Sequence, residues 1–160
     1  MRELFEVAEL VRVAVEDERS GVAFYGALAR KDWGPQFQKL FGGLCEQEKY
    51  HRKRFEEMLA AMGNYKPREQ YSGEYMEYLR AMTDSRAFPD EKAAEASAEG
   101  CESAGQAIEV ALQFERDTLI LLSEMKPLVP PGDHDIVEEI AREEQTHLVA
   151  LADAKRMIRG

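Results

Sequence analysis

Each half of the chain carries a lone glutamate followed, about one helical hairpin later, by an E-x-x-H motif. The two glutamates are 30 residues apart in the first half and 29 residues apart in the second half. Four carboxylates and two imidazoles in this arrangement are the ligand set of a carboxylate-bridged two-metal site built between four helices. The sequence therefore predicts six metal ligands: Glu18, Glu48, His51, Glu115, Glu144 and His147.

These polar residues interrupt apolar stripes that otherwise have helical spacing. Residues three apart on a helix point into the same space, so the Glu and His of each motif can bind together. A buried carboxylate without a partner costs several kcal/mol, and no Lys or Arg occupies the same stripes. A single E-x-x-H arises readily by chance in a glutamate-rich chain, but two matched copies do not. Carboxylate-rich sites with one imidazole per metal favour two iron ions, with manganese as the alternative.

The elements that position these residues are predicted to be helices, because apolar residues recur every three or four positions and strand-like alternation is absent. We expect an all-α four-helix bundle made of two antiparallel pairs. The last helix should have Asp133 or Asp135 as its cap and an inner stripe from Val137 to Ile158. The predicted bounds of the first three helices are Arg2 to Arg30, Pro35 to Gly63, and Ser103 to Met125.

A long crossover, at about residues 63–102, separates the two pairs and is rich in Gly, Pro, Ser and Asp. Only Glu74 to Met82 is predicted to be helical within it. If the ligands of the second and third helices are level, the chain must return roughly 35–40 Å along the bundle, which this connection covers easily. We therefore expect residues 1–160 to form a single domain.

Composition excludes several classes of protein. The formal net charge of −10 argues against binding to nucleic acid, and no apolar stretch is long enough for a membrane span. Glu3, Glu6 and Glu9 interrupt the apolar positions near the first residue, so we expect no signal peptide and a cytoplasmic protein. The two cysteines form no C-x-x-C motif, which excludes a rubredoxin-type iron centre or a zinc ribbon in these residues.

The motifs resemble those of the ferritin-like superfamily, and within it the rubrerythrin-related di-iron carboxylate proteins that lack the rubredoxin domain. The resemblance covers most of the chain and includes Phe24-Tyr25 after Glu18, and Arg116-Asp117 after Glu115, besides the two E-x-x-H motifs. It implies that Glu18 and Glu115 are terminal ligands, one per metal. It also implies that the two motif glutamates bridge the metals, and that each motif histidine caps one metal.

The resemblance implies a di-iron oxidoreductase in which two ferrous ions give electrons to peroxide or O2 and a separate donor protein returns them. Hydrogen peroxide is the expected oxidant. Two alternatives stay open: a ferroxidase that handles iron, and a metal-stabilised helical module without turnover. A homodimer is also expected from the resemblance. Thr118 stands where rubrerythrins carry a second glutamate, so a charged alternative ligand is missing at that position.

Several smaller features have both a functional and a structural interpretation. Tyr25 either hydrogen-bonds a ligand or relays an electron, or it is a core aromatic residue whose hydroxyl found a partner. Cys45 either faces the metal cavity or packs as a small buried residue, and its register argues against a disulfide with Cys101. Metal-bound imidazoles usually donate their second N–H, and three acidic residues are candidates to accept it: Asp17, Asp117 and Glu143.

Overall fold

The structure, a computed structural model, describes residues 6–66 and 72–159. Within these ranges every regular element is helical, as the sequence predicts. The six α-helices are α1 (Val7–Ala29), α2 (Pro35–Met62), α3 (Gly73–Asp84), α4 (Glu91–Gly100), α5 (Ala104–Met125) and α6 (His134–Arg159), and a short 3-10 turn at Pro131–Asp133 precedes α6.

The four long helices form the predicted bundle of two hairpins. α1 packs along α2 and α5 packs along α6, while contacts of α1 with α5 and of α2 with α6 join the two pairs. The first turn is tight because Gly34 has a φ of 114°, a conformation open to glycine, and Pro35 then starts α2 with a φ suited to a helix. The all-α four-helix architecture is therefore confirmed.

The crossover contains more helix than the sequence analysis predicted. The helix expected from Glu74 to Met82 is present as α3, but α4 was missed. α4 packs against α1 and buries only small side chains, those of Ala94 and Ala98, so no stripe of large apolar residues marks it. Its start is well defined, since the Asp90 side chain accepts a hydrogen bond from the Ala93 N–H at 2.8 Å.

Two apolar clusters fill the bundle, one toward each end. One combines the C-terminal half of α1 with the N-terminal parts of α2 and α5, and it includes Phe24, Phe41 and Phe114. The other combines the start of α1 with the ends of α2 and α5 and the start of α6. The six predicted metal ligands occupy the positions between these clusters along all four helices, so water is excluded from both sides of that layer.

Some details differ from the sequence-based expectations. Asp133 lies in the 3-10 turn, and Asp135 lies in the first turn of α6. Ile158 was predicted to face inward but is 46% exposed, because α6 continues about two turns beyond Leu151, its last buried residue. The predicted start of the first helix at Arg2 lies outside the described residues. In the described part of the chain, no helix is long and apolar enough to cross a membrane.

Candidate metal centre

The six predicted ligands converge in the middle of the bundle, where each is at most 2% exposed. They form two overlapping groups whose candidate ligand atoms lie within 4.8 Å of one another. One group contains Glu18, Glu48, His51 and Glu144, and the other contains Glu48, Glu115, Glu144 and His147. The two motif glutamates belong to both groups, which is the arrangement that two neighbouring metal positions with shared carboxylates require.

The buried atoms of this cluster fit metal ions better than they fit one another. Eight of them find no hydrogen-bond partner anywhere in residues 6–66 and 72–159. Buried polar atoms normally have hydrogen bonds, and leaving several carboxylate oxygens without one in the same place is costly. The atoms are Glu18 Oε2, Glu48 Oε1 and Oε2, His51 Nδ1, Glu115 Oε2, Glu144 Oε1 and Oε2, and His147 Nδ1.

Both imidazoles present Nδ1 to the cluster. His51 Nδ1 lies 2.9 Å from Glu144 Oε1, and His147 Nδ1 lies 2.7 Å from Glu144 Oε2. The two rings stack at an interplanar angle of 25°, with centroids 5.6 Å apart. Each oxygen of Glu144 therefore faces a different histidine, which suits a carboxylate shared between two ions.

The outward nitrogens of the two histidines are also held. His51 Nε2 lies 2.6 Å from Glu143 Oε2, and His147 Nε2 contacts Gln47 Oε1. With Nδ1 as the ligand atom, each Nε2 carries the proton and donates it to its partner, which fixes the ring orientation. Of the three acidic candidates, the structure brings Glu143 to a histidine.

The other two acidic candidates have different partners. Asp17 pairs with Arg86 at 3.2 Å, and Asp117 accepts a hydrogen bond from Gln113 at 2.8 Å. Gln47 was missed because it is exposed and uncharged. The sequence does contain a signal for it, since Gln47 precedes Glu48 as Glu143 precedes Glu144.

Without cations, protons balance the charge of this cluster. Burial and then the charge of Glu144 raise the pKa of Glu18, Glu48 and Glu115, to about 8 for Glu115. Glu144 is the exception, since the two imidazoles overcome its burial and lower its pKa to about 2.

The pKa values of the two histidines are raised by the same carboxylates. Burial opposes their protonation, but the surrounding carboxylates outweigh it and raise the pKa to about 11 for His51 and about 10 for His147. Metal ions must therefore displace protons when they bind.

Tyr25 touches the cluster directly. Its hydroxyl donates a hydrogen bond to Glu115 Oε1 at 2.5 Å, and its ring stacks on Phe41 with centroids 6.3 Å apart. Burial, and then the charge of Glu115, raise the pKa of Tyr25 well above its usual value, so the phenol keeps its proton. Tyr25 thus combines the two interpretations, as a core aromatic residue and as a hydrogen-bond donor to a predicted ligand.

Gly21 makes room for one of the predicted bridging carboxylates. A Cβ at this position would lie 3.1 Å from Glu48 Cγ and 3.2 Å from Phe114 Cε1. Both distances are tighter than ordinary contacts, so the absence of a side chain lets Glu48 reach the centre. Thr118, three residues after Glu115, bonds the Phe114 carbonyl oxygen at 3.1 Å and is satisfied within its own helix.

Both cysteines are buried free thiols, as the register of the helices predicted. Cys45 Sγ lies 3.5 Å from the Val22 carbonyl oxygen on α1. Cys45 belongs to the apolar cluster that contains Phe24 and Phe41, in agreement with the packing interpretation.

Comparison with known proteins agrees with the fold and shows the family. A crystal structure of a protein from Thermotoga maritima, described as a ferritin-like diiron-carboxylate protein, superposes with a TM-score of 0.69 at 24% identity, over 98% of each chain. That likeness shows the ferritin-like fold. No curated protein matches the chain. The family model described as Rubrerythrin matches residues 9–155. Because that match spans nearly the whole sequence, the chain belongs to the rubrerythrin family.

Proposed function

We propose that this protein is a non-haem di-iron oxidoreductase that reduces hydrogen peroxide with electrons from a separate donor protein. The observation that carries the proposal is the set of eight buried ligand atoms without a hydrogen bond in a chain of the rubrerythrin family. Glu18 with His51 would hold one ion, and Glu115 with His147 the other. Glu48 and Glu144 would hold both, because they belong to both ligand groups.

The residues of the site match the charge and the ligand preference of iron. Four carboxylates supply four negative charges, which two divalent cations neutralise. One imidazole and several carboxylate oxygens per ion suit iron or manganese better than zinc or copper. When bound, a pair of ferrous ions supplies the two electrons that convert one peroxide and two protons into two water molecules.

The protein keeps these ligands dry and correctly oriented. The apolar clusters on either side exclude bulk water, so that charges within the layer interact strongly. Glu143 and Gln47 hold the imidazole rings from outside, and Tyr25 holds Glu115 through a proton that stays on the phenol oxygen. Two isolated cysteines cannot form a four-cysteine iron centre within these residues, which supports an electron donor outside them. We also predict that the protein forms a homodimer and is located in the cytoplasm.

The proposal is tested by loading the protein anaerobically with Fe(II) and mixing it rapidly with peroxide or, separately, with O2. We expect two irons per chain and a near-ultraviolet diferric absorption that develops faster with peroxide. Glu144→Ala should lose both the absorption and the second iron. Glu139→Ala, an exposed position on the same helix, is the matched control and should behave like the wild type.

Each other outcome changes the assignment. Faster oxidation by O2 would favour the ferroxidase function, and iron binding without oxidation by either reagent would favour a structural metal site. Unchanged reactivity of Glu144→Ala would show that the site lies elsewhere.

A further inference from the structure

The two E-x-x-H motifs hold each other's histidines through the same position. The residue before each motif glutamate contacts the histidine of the opposite motif: Gln47 on α2 contacts His147 on α6, and Glu143 on α6 contacts His51 on α2. The two contacts are related by the internal repeat, but their chemistry differs. One histidine donates to a neutral amide and the other to a carboxylate.

A second difference lies on the lone glutamates. Tyr25 stands seven residues after Glu18 and donates its hydroxyl hydrogen to Glu115. The position seven residues after Glu115 is Leu122, which has no hydroxyl to donate. The repeat therefore supplies a phenol to Glu115 and no matching phenol at the corresponding position for Glu18.

Both differences act in the same direction on metal binding. A carboxylate that accepts the outer N–H of an imidazole places negative charge beside the ring and raises the basicity of its ligand nitrogen, and a neutral amide does this less. A hydrogen bond from a phenol draws charge away from the carboxylate that accepts it. The His51 and Glu18 pair is therefore the stronger donor set, and the His147 and Glu115 pair is the weaker one.

We propose that the two metal positions are inequivalent, and that the first divalent cation binds at the Glu18 and His51 position. In this proposal Glu143, Gln47 and Tyr25 are positioning residues that set the order of filling. The inference rests on the proposed metal site, but it does not depend on which oxidant the protein uses.

The test is stepwise binding of Co(II) to the metal-free protein under anaerobic conditions. In the wild type we expect two resolved steps. Glu143→Gln should lower the affinity of the first step by up to roughly 10–100-fold, so that it approaches the affinity of the second step. Gln47→Glu should raise the affinity of the second step, so that it approaches that of the first. Glu139→Gln removes a charge from the exposed face of α6 and is the control for general electrostatics. Thermal melting of each metal-free variant checks that the fold is intact.

Crystals grown with one equivalent of Co(II) locate the first ion directly by anomalous diffraction. The ion should lie at Glu18 and His51 in the wild type, and it should move toward Glu115 and His147 when the Glu143→Gln and Gln47→Glu changes are combined. Equal occupancy in the wild type would overturn the inference, as would a Glu143→Gln change that weakens only the second step. If the wild type binds no pair of ions, the proposed metal site itself is wrong; if it binds a pair with indistinguishable steps, only the inference is wrong.

Discussion

Glu115 should destabilise the metal-free fold at neutral pH, so its neutral analogue should stabilise it. Burial and the charge of Glu144 raise the pKa of Glu115 from 4.5 to about 8. Below pH 4.5 the carboxyl holds its proton in both the folded and the unfolded chain. As the pH rises toward 8, the unfolded chain ionises while the folded chain resists, and stability is lost. Glu115→Gln removes this penalty and still offers Tyr25 an acceptor oxygen.

The size of the effect follows from the separation of the two pKa values. At pH 7 the unfolded carboxyl is fully ionised, and keeping it protonated in the folded state costs on the order of 3 kcal/mol of stability. At pH 5 the same difference is about 1 kcal/mol. Glu115→Gln should therefore be more stable than the wild type by these amounts, and the gain should grow with pH.

Urea unfolding of the chelator-treated protein at pH 5 and pH 7 measures both quantities. Glu139→Gln, at an exposed position, is the control and should change stability little at either pH. Adding Co(II) should reverse the ranking, since the wild type gains more stability from metal binding than a variant with one ligand removed. An equal effect of Glu115→Gln at the two pH values, or a loss of stability at pH 7, would refute the reasoning.

Three further substitutions give different signatures. Gly21→Ala should lower the affinity for Co(II) roughly tenfold by displacing Glu48. The net change in stability should stay under about 2 kcal/mol, because the gain in helix propensity offsets the crowding. Unchanged affinity in a binding titration would contradict this. Tyr25→Phe should cost the metal-free protein about 1–3 kcal/mol in urea unfolding, because a buried carboxyl oxygen of Glu115 loses its donor. An unchanged midpoint would argue against that hydrogen bond. Arg86→Ala should destabilise the protein by about 3 kcal/mol at pH 8 and by less at pH 5.5. Burial already raises the pKa of Asp17 to about 7, so the carboxyl that has lost Arg86 takes up a proton at the lower pH. A pH-independent loss in thermal melts would refute this.

The long helices and the six clustered residues could be predicted from the sequence because both follow from spacing along single helices. Charged residues that recur within apolar stripes have few structural explanations, so their pattern carries information about the fold. α4 could not be found in this way, because its buried residues are alanines and its helical stripe has no large side chains. Ile158 was predicted to be buried but is exposed, since periodicity cannot indicate where the neighbouring helices stop covering a helix face.

The residues around the ligands were harder to predict because their roles depend on contacts between helices. Gln47 is a polar residue on the outside of α2, and only the position of His147 on another helix gives it a function. Asp17 lies beside Glu18 in sequence but faces Arg86 in the crossover. Proximity in sequence to a ligand was therefore a weaker guide than the equivalence of positions in the two motifs.

The exchange of contacts between the two motifs ties together parts of the chain that are far apart in the gene. Residues 47 and 147 are 100 positions apart, and residues 51 and 143 are 92 positions apart. A substitution in one motif therefore alters the environment of the histidine in the other, so the two motifs constrain each other. Among relatives of this protein, the amide or acid before one motif glutamate should covary with the residues around the opposite histidine. The repeat would then persist as a pair of mutually constrained segments.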